Sequence, residues 1–149
     1  MSSFIHPDRK TDLLRVSIGV VYLWFGGLKF FAGLSPAESL ATETLARLSF
    51  GLIPGHICYL SLAFGETFIG VLLVVNRMVR VAVMAAIVHM LGTFTPILLL
   101  PQVCFNEPPF AITLVGQYIV KNIVIVSALL VIYPFEPPHP GKKTNIKKP

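Results

Sequence analysis

The chain has little charge. Asp, Glu, Lys and Arg make up 13% of its 149 residues, against about 25% in a soluble domain. Cysteine is also sparse: the two present, Cys58 and Cys104, have no C-x-x-C spacing, which argues against a zinc site and a thioredoxin-like pair. The chain has four histidines and nowhere spaces them as metal ligands. Hydrophobic residues instead reach 54%, with a mean hydropathy of +0.76. They are concentrated in four apolar runs, each near the roughly 20 residues that cross a bilayer as a helix. The expectation is an all-α protein, a four-transmembrane-helix bundle in a single domain over residues 1–133, with no length left for a separate soluble domain. The net charge of +5 is not a nucleic-acid signal, because the basic residues cluster at the ends of the apolar runs.

The four spans are expected at about 13–31, 57–75, 80–100 and 111–133. A secretory signal peptide is the competing reading of the first. Its apolar stretch is longer than an h-region and no A-x-A-like site closes it, so a retained helix is expected. Gly19, Tyr22, Gly26, Lys29 and Gly33 recur at spacings of three and four, which puts them on one helical face. Small residues there let a neighbour approach closely in lipid. Ser35-Pro36-Ala37-Glu38 reads as a capping box opening a short amphipathic helix on the membrane surface. In the third span Pro96 has no N–H for the carbonyl of Gly92. A kink is therefore expected, with Thr93 and Thr95 available to the freed groups. Pro101 to Phe110 reads as a loop, and residues 134–149 as a basic, disordered cytoplasmic tail.

Charge sets the expected orientation. With four spans, Arg9, Lys10, Arg15, Arg77, Arg80 and the tail lysines Lys142, Lys143, Lys147 and Lys148 fall on one side. The opposite connections hold only Arg47 among Lys and Arg residues. Both termini are therefore expected in the cytoplasm, in a bacterial inner membrane.

Charged and polar residues within the spans are the candidate functional groups. Glu66, His89 and Lys121 each stand about nine residues from the expected start of their helix, roughly 13–14 Å at the helical rise. Gln117 with Lys121, and Tyr118 with Asn122, are i,i+4 pairs and read as one polar stripe. A charged residue at a helix centre costs roughly 2.5–3.5 kcal/mol on insertion scales, so each needs a partner, water or a function. Three readings stay open. Glu66 and Lys121 can form an ion pair that sets helix register, with His89 bonded nearby. Alternatively, Lys121, His89 and Tyr118 can bind an oxygen-bearing ligand such as a quinone head group. A proton-coupled transport path is the third, though so small a chain offers no inverted repeat for alternating access. Lys29, near the end of its span, either snorkels to the interface or joins the centre. Only His89 among the histidines lies at membrane depth, so a bis-histidine haem site within one chain is not available. Cys58 and Cys104 share the outer side and can bond there in an oxidising compartment, or remain two free thiols.

Several short stretches together resemble the DoxX-like family of small four-helix bacterial membrane proteins. They are Arg15-Val16-Ser17-Ile18-Gly19, Phe25-Gly26-Gly27-Leu28-Lys29-Phe30, Gly65-Glu66-Thr67-Phe68-Ile69-Gly70 and Gly116-Gln117-Tyr118-Ile119-Val120-Lys121-Asn122. The family's namesake is similar to the membrane subunit of a thiosulfate:quinone oxidoreductase, and relatives are associated with redox and oxidative-stress complexes. The resemblance implies importance for Arg15, Lys29, Glu66, Lys121 and Asn122, and brings no catalytic mechanism. The expected function is thus a quinone-associated or accessory subunit of a redox complex, with Lys29, Glu66, His89, Tyr118, Lys121 and Asn122 as the central polar site. Quinone is the one cofactor expected, and the expected partners are the lipid bilayer with redox-complex subunits or further copies of the chain. A purely structural or assembly subunit is the first alternative.

Overall fold

The computed structural model describes residues 7–107 and 110–133. Helix α1 runs Pro7–Leu28, α2 Glu38–Leu48, α3 Gly55–Val74, α4 Val79–Thr93 and α5 Thr95–Leu99. A single turn, α6 (Pro101–Cys104), leads into a small antiparallel hairpin of β1 (Phe105–Glu107) and β2 (Ala111–Ile112). Helix α7, Leu114–Ile132, closes the bundle. Four helical stretches are long and apolar enough to cross a membrane: 9–28, 55–74, 79–99 and 114–132. Only 22–33% of each is buried by the protein itself. The rest of their apolar surface needs a second apolar solvent, which is the bilayer. The chain is a multi-pass membrane protein.

The most extensive helix contact joins α1 to α3, and glycine makes it close. A Cβ on Gly70 would lie 2.7 Å from the backbone nitrogen of Leu23 and 2.9 Å from the carbonyl of Gly19. One on Gly26 would lie 2.8 Å from the backbone nitrogen of Thr67. Backbone therefore rests on backbone along this seam. Gly19, Tyr22, Gly26 and Lys29 are buried on the face that their spacing predicted, whereas Gly33 is exposed beyond the helix. At the other end of α3, the buried Arg15 guanidinium donates to the carbonyl of Leu73 and, at 3.0 Å, to Asp12. A cation is favoured there, at the negative end of the helix dipole.

Helices α3 and α4 form an antiparallel hairpin across residues 75–78, with Asn76 (φ 59°) and Met78 (φ 49°) left-handed. The break expected before Pro96 separates α4 from α5 at Phe94. Thr95 Oγ1 donates at 2.7 Å to the carbonyl of Gly92, the acceptor that proline leaves free, and Thr93 Oγ1 donates to Met90 at 2.6 Å. The inner core gathers Ile18, Tyr22, Leu73, Val83, Ala86 and Leu129 from all four spans.

Three local expectations need correction. Ser35 does not cap α2: the Ser35–Glu38 segment already turns, with Glu38 N bonded to Ser35 O at 3.1 Å, and α2 starts at Glu38. The Glu38 carboxylate reaches back instead to the amide of Gly33 at 2.8 Å. The 101–110 region is not simply a loop, since α6 and the hairpin occupy most of it. The last span begins at Leu114, not near Ala111, because Thr113 is its cap: Thr113 Oγ1 accepts from Gly116 N at 3.1 Å and donates to Val103 O at 2.7 Å. Helix α2 packs on α3 and α5, where Arg47 donates to the carbonyl of Leu99 at 3.0 Å and pairs with Glu43 at 2.9 Å. The tail expected from Pro134 onward lies outside the described residues.

Candidate functional site

Helix α1 ends in a tightened turn, with Lys29 N, Phe30 N and Phe31 N each bonding three residues back at 3.2 Å. This turn aims Lys29 into the bundle. Gly26, one turn earlier, holds the α1 backbone against Thr67 and the Cβ of Glu66. The lysine ammonium therefore meets the Glu66 carboxylate directly: Nζ donates to Oε2 at 2.6 Å and to the carbonyl of Phe25 at 3.3 Å. The two side chains are 6% and 7% exposed, which makes this a buried ion pair.

The second carboxylate oxygen goes to α4. His89 Nε2 lies 3.0 Å from Glu66 Oε1, and His89 Nδ1 lies 3.1 Å from the Tyr22 hydroxyl. That hydroxyl is also 3.1 Å from the carbonyl of Ala86. The Tyr22 and His89 rings meet edge to face, 5.5 Å between centroids. Lys29, Glu66, His89 and Tyr22 thus form one hydrogen-bonded chain across α1, α3 and α4. It accommodates two proton arrangements. With neutral imidazole, Nε2–H donates to Glu66 and Tyr22 donates to Nδ1. With imidazolium, both ring nitrogens donate and Tyr22 turns its proton to Ala86.

His89 and Glu66 also form the floor of a groove of about 570 Å³ between α3 and α4. Its sides are Gly65, Ile69, Val81, Met84, Ala85 and Val88, so its walls are apolar and small at the centre. Gly65 and Ala85 are exposed, and a Cβ on Gly65 would meet nothing within 4 Å. The groove lies in the membrane-spanning part of both helices and opens sideways, toward lipid. Its size is in the range of small-molecule sites.

The remaining site candidates separate. Lys121 does not meet Glu66. Its ammonium stands 5.2 Å from the centroid of the Tyr118 ring, and both side chains are on the outward face of α7 with Gln117. The ion pair expected between Lys121 and Glu66 is replaced by Lys29–Glu66, because one position along a helix turns the side chain by about 100°. Asn122, next in sequence, points inward and donates to Thr93 Oγ1 at 2.9 Å, one turn of α4 from His89. Cys58 and Cys104 are free thiols, so the disulfide is not formed. Cys104 is buried beneath the hairpin, where its carbonyl accepts from Thr113 N at 3.0 Å and its backbone lies against Gly116. Cys58 sits in the first turn of α3. Burial pushes the Cys104 thiol pKa above its ordinary value. Tyr22 was not among the expected site residues. Its spacing of seven from Lys29, two helical turns on the glycine-bearing face, was the available signal.

Comparison with curated proteins gives no match, and comparison with solved structures gives none. The DoxX family model matches residues 11–99, from the first turns of α1 to the end of α5. That segment holds all four members of the buried chain and both walls of the groove. The protein belongs to the DoxX family.

Proposed function

We propose that the protein is a quinone-associated or accessory subunit of a membrane redox complex, binding the head group in the α3–α4 groove. The observation that carries this reading is a lipid-facing apolar groove floored by a buried carboxylate and an imidazole. A lipid-soluble ligand could enter it sideways without crossing water. The donor set fits both states of such a head group. A carbonyl would accept from His89 Nε2–H by taking over the bond that Glu66 Oε1 receives in the free protein. A hydroxyl would donate to Glu66, which has acceptor capacity beyond the bonds to Lys29 and His89. Tyr22 and His89 would hold or move a proton at Nδ1. When bound, the quinone would supply the redox chemistry, and Lys29 would keep Glu66 oriented. The excess of Arg9, Lys10, Arg77 and Arg80 at one end of the bundle supports both termini in the cytoplasm of a bacterial inner membrane.

Gly65→Leu tests the proposal, because it fills the groove without touching the ion pair. Gently purified wild type should carry extractable quinone, and Gly65→Leu should lose it while melting at about the same temperature. Equal occupancy in both proteins, or none in either, would refute the binding site. One observation favours a structural reading: both oxygens of Glu66 already have partners within the chain. On that reading Gly65→Leu is silent in every assay, and only variants of Lys29, Glu66 or His89 have an effect, through stability.

A further inference from the structure

We propose that the Gln117–Tyr118–Lys121 face of α7 docks a membrane-spanning helix of a different protein, one that carries an aspartate or glutamate at the level of Lys121. The face continues through Leu114 and Val124 at helical spacing, and all five residues are exposed. Lys121 lies seven residues inside the span that starts at Leu114, about 10 Å at the helical rise. Its stem leans back one turn, onto Tyr118, and that ring is itself about 6 Å inside the start of the helix. The ring face attracts the ammonium but supplies no countercharge. Among the described residues, no carboxylate forms a salt bridge with Lys121. A lysine, a glutamine and a tyrosine on one lipid-exposed face are costly as they stand and favourable once a polar helix covers them.

Charge accounting selects the partner. A second copy of the chain in a symmetric contact would set Lys121 against Lys121. It also has no acid to offer at this depth. Of the seven acidic residues, Asp8 and Asp12 lie in the opening turns of α1, and Glu38, Glu43 and Glu107 belong to the outer connections. Glu136 follows the last span, and Glu66 is buried between Lys29 and His89. The countercharge must come from another chain. This face is separate from the α3–α4 groove, so the inference stands whether or not quinone binds there.

The test places a photo-cross-linking amino acid at Val124, one turn below Lys121, in the full chain in membranes of its own source. A control carries it at Val20, on the exposed face of α1. The expected product from Val124 is an adduct with another integral membrane protein, mapped to a span that contains Asp or Glu. Lys121→Met should lower its yield about threefold to tenfold, the order expected for losing a polar interhelical contact. Lys121→Arg should retain it, and Lys121→Glu should recover it when the partner's acid is changed to lysine. An adduct with a second copy, an adduct with lipid alone, no adduct, or a yield indifferent to Lys121→Met would each overturn the proposal. Quinone occupancy should be the same in Lys121→Met as in wild type, so failure here and failure of the groove are separately visible.

Discussion

Removing either half of the Lys29–Glu66 pair should cost more than removing both. The ammonium and carboxylate are 2.6 Å apart, with side chains 6% and 7% exposed, so neither charge has water to fall back on. Taking away one partner of a buried pair typically costs about 3–5 kcal/mol, because the other charge stays buried and uncompensated. Lys29→Met leaves Glu66 with His89 alone. Glu66→Met leaves Lys29 with the carbonyl of Phe25. Independent effects would sum to about 6–10 kcal/mol in the double variant. The geometry predicts otherwise. With both charges gone, the lasting loss is the bond from His89, about 1–3 kcal/mol, partly offset by the desolvation no longer required. The double variant should therefore be more stable than either single one. Thermal unfolding of the four proteins in one detergent closes the cycle. A double variant destabilised by the sum of the singles would show that the two groups do not act as a pair.

Four other outcomes follow from named contacts. Gly70→Val should unfold or loosen the α1–α3 seam, since its Cβ meets backbone at 2.7 Å, whereas Gly65→Ala should be neutral or mildly stabilising; melting curves of the two decide. Arg15→Met should cost about 1.5–3 kcal/mol, the range for a hydrogen bond to a charged donor, measured by the same unfolding assay. Asn122→Leu should cost only about 0.6 kcal/mol, the mean for polar contacts between membrane helices, even though its site is central. Cys104 should alkylate more slowly than Cys58: its raised pKa leaves less thiolate at any pH below it, and it is fully buried, so raising the pH should accelerate labelling, as mass spectrometry of timed reactions would record.

The sequence carried the fold further than the site, for a physical reason. The number of spans, the proline break with its threonine repair, and the glycine face of α1 are all local facts, and each appears as its residues dictate, although the ends of the first and last spans shift by several residues. Which polar residues meet depends on helix rotation, and the one polar stripe of α7 is wide enough to point either inward or outward. Lys121 and Asn122 were both candidates, adjacent in sequence and alike in depth. Asn122 faces Thr93 and Lys121 faces out. Lys29, near the end of its expected span, was open to either an interfacial or a central place. Its spacing from Tyr22 and Gly26 put it on the inward face, and the tightened turn after Leu28 keeps it there; what the spacing did not show is that Glu66 waits opposite. The capping box failed similarly: Ser35 and Glu38 have the right identities, but the backbone between them had already curled.

On the proposed reading, the sideways mouth of the α3–α4 groove would change what concentration means for this protein. A molecule that reaches Gly65 and Ala85 through hydrocarbon is drawn from a thin two-dimensional reservoir, not from the surrounding solution. Each added methylene on such a molecule shifts its partition into that reservoir by about 0.8 kcal/mol, roughly fourfold. Tail length would then govern occupancy as strongly as any contact at His89, and a short-tailed analogue with an identical head group would look weak in vesicles and strong once amounts are counted per lipid.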